Sequence, residues 1–173
     1  MGKIIFILGG ARSGKSTFSL KLAKDSGKKK VAFVATGEPR DREMKERISR
    51  HKLARPEGFK TFEEPFNLSS LLKKISPDFN LIIVDCLTLF VSNLMLKKIR
   101  EEEIVNEITA ALKIVKEMNT KTIFVSNEVG LGIVPHTKLG RAFRDIAGKV
   151  NQVVAKNADC VFFMVSGLPW RVK

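Results

Sequence analysis

Residues 9–16 read GGARSGKS, the spacing Gly-x-x-x-x-Gly-Lys-Ser of a phosphate-binding loop. They follow a strand-like apolar run and open a helix-like one, which is the context that this motif requires. Glycines let backbone N–H groups converge on phosphate oxygens, and the helix N-terminus adds positive potential. Lys15 is expected to reach the β- and γ-phosphates, and Ser16 to hold Mg²⁺. The loop predicts an enzyme that binds a nucleoside triphosphate through Gly9, Gly10, Ala11, Arg12, Ser13, Gly14, Lys15 and Ser16.

A carboxylate at the end of a later apolar strand is the expected second group on the magnesium side of such a site. The run LIIVD over residues 81–85 ends in Asp85. Asp85 is therefore predicted to be the carboxylate on the magnesium side of the site, acting on the ion directly or through water. The alternative is that Asp85 only caps the helix that begins near Leu87. Both roles are compatible, and the presence of the phosphate loop favours the first.

A histidine lies within a charged helical pattern over residues 41–53, for which Asp41 is the predicted N-cap. At helical spacing, one face carries Met44, Arg47, Ile48, His51 and Arg55. The apolar side chains should turn this face toward the protein, so that an imidazole flanked by guanidinium groups meets a phosphate. A neutral imidazole can attack phosphorus, and guanidinium groups can stabilise the charge that develops. Spacing alone favours the alternative, a half-buried histidine with no catalytic role.

Strand-like and helix-like segments alternate along the whole chain. Strands are predicted over residues 3–8, 31–35, 60–63, 81–85, 122–126 and 160–165, and helices over residues 15–24, 41–53, 68–75, 87–97, 101–118 and 138–156. Apolar strands that alternate with helices indicate a mostly parallel sheet covered on both faces. The pattern predicts one three-layer α/β domain over residues 1–173 and leaves the strand order open.

Composition and charge narrow the possible partners. The 173 residues include 31 Lys or Arg and 18 Asp or Glu, a formal net charge of +13. The basic residues do not interleave with aromatic ones, so a Lys-rich surface with phosphate-rich ligands is favoured over nucleic-acid binding. No apolar run approaches the roughly 20 residues of a membrane span, and the start lacks a signal-peptide pattern. We expect a cytoplasmic enzyme whose two cysteines, Cys86 and Cys160, are buried thiols.

A loop that contains glycines follows the strand predicted over residues 122–126. Ligands of open α/β sheets bind at the carboxyl ends of strands, so Asn127 and Glu128 are candidate substrate contacts. Arg141 and Arg144, near the start of the next helix, are candidates for binding a phosphate or a carboxamide. A solvated helix face explains these two arginines equally well.

Many short strings along nearly the whole chain are shared with one enzyme family. Beyond the phosphate loop they are Ala35-Thr36-Gly37, Glu43-Met44, Arg47-Ile48, His51-Lys52, Arg55-Pro56, Thr61, Glu63, Asp85-Cys86-Leu87-Thr88, Val91-Ser92-Asn93-Leu94, Ser126-Asn127-Glu128-Val129-Gly130, Gly132-Ile133-Val134-Pro135, Phe143-Arg144-Asp145-Ile146-Ala147-Gly148, Asn151-Gln152 and Val165-Ser166-Gly167. With these strings the chain resembles the bifunctional adenosylcobinamide kinase / adenosylcobinamide-phosphate guanylyltransferase family of cobalamin biosynthesis. Together they are far more specific than the phosphate loop alone.

The resemblance implies two reactions. ATP or GTP phosphorylates the aminopropanol hydroxyl of adenosylcobinamide, and GMP then passes from GTP to that phosphate through a covalent histidine intermediate, for which the matching residue is His51. Family positions for the guanine nucleotide match the phosphate loop together with Ala35, Thr36, Gly37, Lys52, Leu53, Ala54, Arg55, Glu63 and Asp85. The resemblance further implies a RecA-like sheet of the P-loop NTPase type and a homotrimer.

Three other functions remain open at this point. A single-function P-loop small-molecule kinase would phosphorylate an alcohol without forming a nucleotidyl adduct. A RecA-like nucleic-acid-dependent ATPase would use the positive charge to bind DNA in a salt-sensitive manner. A non-catalytic nucleotide sensor is disfavoured by the intact Lys15, Ser16 and Asp85.

Overall fold

The computed structural model describes residues 2–53 and 55–173, with all their side chains except those of Arg47, Arg50, His51 and Leu53. The strands are β1 (Ile4–Gly9), β2 (Val31–Ala35), β3 (Phe59–Glu63), β4 (Leu81–Asp85), β5 (Lys121–Asn127), β6 (Cys160–Val165) and β7 (Leu168–Arg171). The helices are α1 (Lys15–Asp25), α2 (Arg42–Leu53), α3 (Leu68–Ile75), α4 (Leu87–Leu96), α5 (Glu101–Glu117) and α6 (Lys138–Asn157). No helix within the described residues combines the length and the apolar character needed to cross a membrane.

The strands and helices predicted from the sequence are present, with small shifts at their ends, and β7 is an addition. Its four residues are all exposed and include Pro169, so no apolar run marks them. A tight turn at Ser166 and Gly167, with φ of 50° and 87°, brings β7 back antiparallel to β6. Strand β7 therefore depends on this turn and on pairing with β6, which an apolar pattern does not reveal.

The seven strands form one sheet in the order β3-β2-β4-β5-β1-β6-β7. Neighbouring strands pair in parallel except for β6 and β7. Strand β5 lies between β1, which leads into the phosphate loop, and β4, which ends at Asp85. The registers of Gly9 with Asn127 and of Asp85 with Val125 bring these ends to the same edge of the sheet. The predicted mostly parallel α/β fold is confirmed.

Alternate residues of the strands pack into two apolar cores, one on each face of the sheet. Ile4 and Phe6 belong to the core beneath helices α3, α4, α5 and α6. Ile5 and Ile7 belong to the opposite core, beneath α1. Because both faces are covered in the middle of the sheet, β1, β2 and β4 are apolar along nearly their whole length, whereas the edge strands β3 and β7 are largely exposed.

Phe90 of α4 is fully buried in the core beneath α3 to α6, whereas Leu96 at the end of the same helix is 50% exposed. Replacing Phe90 with alanine is expected to lower the free energy of unfolding by about 3–5 kcal/mol, because buried apolar area is lost and a cavity remains. The matched Leu96→Ala change should lower it by less than about 1 kcal/mol. Urea unfolding measures both variants, and equal losses would contradict this packing.

Candidate nucleotide-binding site

The phosphate loop joins β1 to α1 through backbone angles that favour glycine. Gly14 has a φ of 92° and Gly9 a φ of 155°. A Cβ atom at Gly9 would lie 2.7 Å from the Met164 carbonyl oxygen and 2.8 Å from Ser13 Oγ, which is too close for a side chain. The turn between β6 and β7 supports the loop, since Gly167 N donates to Ser13 O at 3.1 Å. The shape of the loop is therefore fixed by its own glycines and by a neighbouring turn.

Lys15 and Ser16 begin α1 and carry the polar groups expected of them. The Lys15 side chain is largely buried, and its Nζ donates to Gly10 O at 2.6 Å. Ser16 Oγ donates to Asp85 Oδ2 at 2.7 Å. Helix α4 has Cys86 at its N-cap position and no side-chain cap. Asp85 therefore faces Ser16 and does not cap α4.

A cavity of about 540 Å³ lies beside the phosphate loop at the carboxyl edge of the sheet. This volume is in the range of small-molecule sites. The predicted residues that line it are Ala11, Arg12, Ser13, Gly14, Lys15, Ser16, Ala35, Gly37, Arg55, Asp85 and Asn127. Thr36 is predicted with Ala35 and Gly37 but is not among the residues that line the cavity. Its hydroxyl group forms hydrogen bonds with the backbone of Cys86 instead.

Helix α2 lines the cavity with its apolar face. Asp41 caps the start of the helix, as predicted, since its Oδ1 accepts from Met44 N at 2.7 Å. Met44 and Ile48 are both lining residues. Gly37 permits the close approach, because a Cβ there would lie 3.2 Å from Leu89 Cδ1 and 3.7 Å from Ile48 Cδ1. The helix that carries the predicted nucleophile therefore packs directly against the phosphate-binding end of the sheet.

Part of the predicted site lies outside the described residues. This holds for the side chains of Arg47, His51 and Leu53 and for the whole of Ala54. The backbone of α2 runs without a break from Arg42 to Leu53. Position 51 therefore continues the helical spacing of the two residues that line the cavity.

A second cavity, of about 480 Å³, adjoins the end of α2 and β3. Lys52 Nζ and Glu63 Oε1 form an ion pair there at 2.5 Å. Arg55 borders both cavities, and its guanidinium lies 4.1 Å from the centre of the Phe33 ring. Burial lowers the pKa of Arg55, and the charges of Asp85 and Glu63 act in the opposite direction. The structure thus gathers the predicted residues Lys52, Arg55 and Glu63 in one place.

The candidate substrate residues after β5 have different surroundings. Asn127 lines the first cavity. Glu128 Oε1 accepts a backbone hydrogen bond from its own loop at 2.7 Å. Arg141 donates to two loop carbonyl oxygens at 2.8 Å and 3.0 Å, and Arg144 Nε lies 3.6 Å from Asp145 Oδ1. The two arginines therefore have structural partners within their own segment.

The chemistry of Ser16 and Asp85 suits a magnesium ion. Their oxygens lie 2.7 Å apart, and Mg²⁺ prefers oxygen donors. Among the described residues, no group of three or more His, Cys, Asp or Glu side chains forms a metal site by itself. The two oxygens fit an ion that takes its other ligands from phosphate groups and water.

Sequence reasoning does not identify the apolar part of the cavity lining, Leu20, Phe33 and Leu89. These residues lie on α1, β2 and α4 and share no local pattern. Asn93 is also missed, although a local signal exists, since it is a polar residue within the apolar helix α4. A buried polar side chain in such a helix needs a hydrogen-bond partner. The partner of Asn93 is the carbonyl oxygen of Thr36, which lies between the cavity-lining residues Ala35 and Gly37.

The fold and this site define a P-loop nucleotide-binding enzyme with a RecA-like sheet. A KaiC-like protein from the archaeon Pyrococcus horikoshii matches with a TM-score of 0.54 and 17% identity, covering 94% of this chain and 70% of that chain. Flagellar accessory protein FlaH from Methanocaldococcus jannaschii matches with a TM-score of 0.57 and 14% identity, covering 99% of this chain and 78% of that chain. At these identities the likeness concerns the fold alone.

Residues 5–172 match the family CobU, described as cobinamide kinase / cobinamide phosphate guanyltransferase. The chain is 41% identical over 167 residues to the bifunctional adenosylcobalamin biosynthesis protein CobP of Pseudomonas aeruginosa, covering 96% of this chain and 95% of that protein. It is 37% identical over 183 residues to the bifunctional adenosylcobalamin biosynthesis protein CobU of Escherichia coli and to that of Salmonella typhimurium, covering 98% of this chain and 99% of each. The chain therefore belongs to the CobU family of bifunctional cobinamide kinases and cobinamide-phosphate guanylyltransferases. The resemblance seen in the sequence is confirmed.

Both cysteines are free and buried, as predicted. Burial raises the pKa of Cys86 from its ordinary value of 9.0 to about 11, and the charge of neighbouring Asp85 adds to this effect. The folded protein holds the thiol proton of Cys86 more tightly than the unfolded chain does. This raises the free energy of unfolding at pH values below 9.0, the ordinary pKa of the thiol. That contribution is lost as the pH rises from 9 toward 11.

In a Cys160→Ala variant, Cys86 is expected to react with a disulfide reagent at about pH 8 at least 100-fold more slowly than in the urea-unfolded chain, since the thiolate is the reactive form. The absorbance of the released thiol measures the rate. Equal rates in folded and unfolded protein would contradict the burial of Cys86 beside Asp85.

Proposed function

We propose that the cavity beside the phosphate loop serves both reactions of the family. ATP or GTP phosphorylates the aminopropanol hydroxyl of adenosylcobinamide, and GMP is then transferred from GTP to that phosphate. The observation that carries the proposal is the 2.7 Å hydrogen bond between Ser16 and Asp85, at a cavity lined by both the phosphate loop and α2. Groups suited to a triphosphate and the helix that bears His51 thus surround one space.

In this proposal the triphosphate lies along the loop. Backbone N–H groups at the start of α1 face its oxygens. Lys15 exchanges the Gly10 carbonyl for the β- and γ-phosphates. Ser16 and Asp85 hold Mg²⁺, which when bound neutralises charge on these phosphates. Arg12, exposed on the loop, adds a further cation.

The kinase step is an in-line displacement at the γ-phosphorus. The substrate hydroxyl oxygen forms the new P–O bond, the bond to the β,γ-bridging oxygen breaks, and the nucleoside diphosphate leaves. The hydroxyl proton passes to solvent. Lys15 and Arg55, both at the cavity, stabilise the charge that develops on the phosphoryl oxygens.

The transferase step passes through His51. Its imidazole attacks the α-phosphorus of GTP, the bond to the α,β-bridging oxygen breaks, and pyrophosphate leaves. A phosphate oxygen of the corrinoid then attacks the phosphoramidate, the P–N bond breaks, and the histidine is restored with adenosylcobinamide-GDP as product. The spacing of position 51 supports this role, because the same face of α2 lines the cavity at Met44 and Ile48.

The guanine base is assigned to the second cavity. Guanine presents two neighbouring N–H donors, which a carboxylate with two acceptor oxygens can bind together. Glu63 is such a carboxylate, and it forms an ion pair with Lys52 at 2.5 Å. Arg55 borders both cavities and can contact phosphate on one side while it stacks on Phe33. By the family resemblance alone, Leu53 and Ala54 are also proposed as guanine-nucleotide positions.

The corrinoid is assigned to the loop after β5. Asn127 borders the first cavity, and the loop beyond it exposes Leu131 and Ile133 at 81% and 93%. Apolar surface of this kind suits a large ring system, and Asn127 and Glu128 can bond to the amides at its rim. Arg141 and Arg144 are proposed to bind its amides or phosphate once their present partners give way.

A homotrimer is proposed from the family resemblance. Support comes from β7, where Leu168 and Trp170 lie on one face of the strand and are 73% and 67% exposed.

Sedimentation equilibrium is expected to give the mass of a trimer for the wild-type protein. Trp170→Lys is expected to shift the measured mass toward that of the single chain. A wild-type protein that sediments as one chain at all concentrations would overturn this part of the proposal.

His51→Ala is expected to abolish guanylyl transfer while cobinamide phosphorylation changes less than about threefold, because the histidine acts in the second step alone. Incubation with α-labelled GTP should give wild-type protein an acid-labile, alkali-stable adduct of one GMP, detected by mass spectrometry. His136→Ala is the matched control, since His136 lies exposed in a loop and should keep the adduct. An adduct retained in His51→Ala would show that another residue is the nucleophile and would overturn the assignment to His51.

A further inference from the structure

Thr36 follows β2 and is fully buried, although both of its neighbours line the nucleotide cavity. Its backbone N donates to Asp85 O at 3.3 Å. Its Oγ1 accepts from Cys86 N at 2.9 Å and donates to Cys86 O at 2.6 Å. One residue thus binds three consecutive polar groups of the main chain at the end of β4.

Asn93 binds the backbone carbonyl group of Thr36. Its Nδ2 donates to Thr36 O at 2.7 Å and reaches Pro65 O at 3.4 Å. Asn93 is buried within the apolar helix α4, which begins directly after Cys86. Thr36 therefore connects the second half of α4, through Asn93, to the backbone of Asp85 and Cys86.

The chemistry of these contacts requires a hydroxyl group. A hydroxyl both accepts and donates, so it satisfies the N–H and the C=O of Cys86 together. A valine of similar shape would leave the N–H and C=O groups of Cys86 buried without hydrogen-bond partners. Because unpaired buried groups are costly, we expect the backbone to shift until these groups find other partners. The side chain that moves with this backbone is Asp85, whose Oδ2 lies 2.7 Å from Ser16 Oγ.

We infer that Thr36, supported by Asn93, is a positioning residue for the Asp85 carboxylate, and that its hydroxyl does not contact the nucleotide. This inference rests on the proposed pairing of Ser16 and Asp85 in the triphosphate site. Loss of the hydroxyl displaces the carboxylate, while Lys15 and the phosphate loop continue to bind the phosphates. A misplacement of about 1 Å in such a group lowers turnover by roughly 100-fold.

The test compares Thr36→Val, Thr36→Ser and Asp85→Asn with the wild-type protein. Calorimetry gives the Kd of GTP in EDTA and in Mg²⁺, and steady-state kinetics give kcat and KM for phosphorylation. Thr36→Val is expected to lower kcat at least about tenfold and to lose most of the gain in affinity that Mg²⁺ gives. Its Kd in EDTA should stay within about twofold, and Thr36→Ser should restore most of both quantities, since serine keeps the hydroxyl.

Thr120→Val is the matched control at the opposite end of the sheet. Thr120 is 3% exposed, and its hydroxyl donates to Ser76 O and Phe79 O at 2.8 Å and 3.2 Å. The control loses comparable buried hydrogen bonds and should keep kcat and the Mg²⁺ effect. A general loss of stability would lower kcat in both variants alike, and that result overturns the positioning role.

Two further outcomes are decisive. If Asp85→Asn keeps full activity and the Mg²⁺ effect, the proposed pairing of Ser16 and Asp85 around Mg²⁺ fails, and the positioning role fails with it. If Asp85→Asn is impaired and Thr36→Val is not, only the positioning role fails. If Thr36→Val does not fold, Asn93→Ala carries the test. It should then show the same loss of kcat and of the Mg²⁺ effect, and an unchanged Asn93→Ala overturns the inference.

Discussion

A hydrogen bond of 2.7 Å joins Ser16 at the start of α1 to Asp85 at the end of β4. The strands that lead to these residues are not neighbours, because β5 lies between β1 and β4. The bond therefore requires the carboxyl ends of three parallel strands to reach the same level, which their registers ensure. The phosphate loop, the cavity and α2 are all arranged around this edge.

Two buried polar side chains near this edge bind the main chain. Thr36 and Asn93 bind main-chain groups, so that polar side chains inside the protein shape the backbone. Arg55 stacks on Phe33, and the charges of Asp85 and Glu63 offset part of the desolvation that lowers its pKa.

The fold and the family contribute different information. Solved structures that are 17% and 14% identical share the fold, and a shared P-loop fold is compatible with many activities. The family match over residues 5–172 assigns the kinase and guanylyltransferase activities. The geometry then brings these residues together, because the phosphate loop and α2 line one cavity.

The sequence by itself determined the local parts of this protein. The phosphate loop, the apolar strands and the acid at position 85 follow from short-range patterns, because spacing, apolar runs and capping are properties of a few adjacent residues. The tertiary structure alone decided the strand order, strand β7 and the cavity lining at Leu20 and Phe33, since these depend on residues distant in the sequence. It also separated the role of Thr36 from that of its neighbours, because a contact over fifty positions to Cys86 has no local signature.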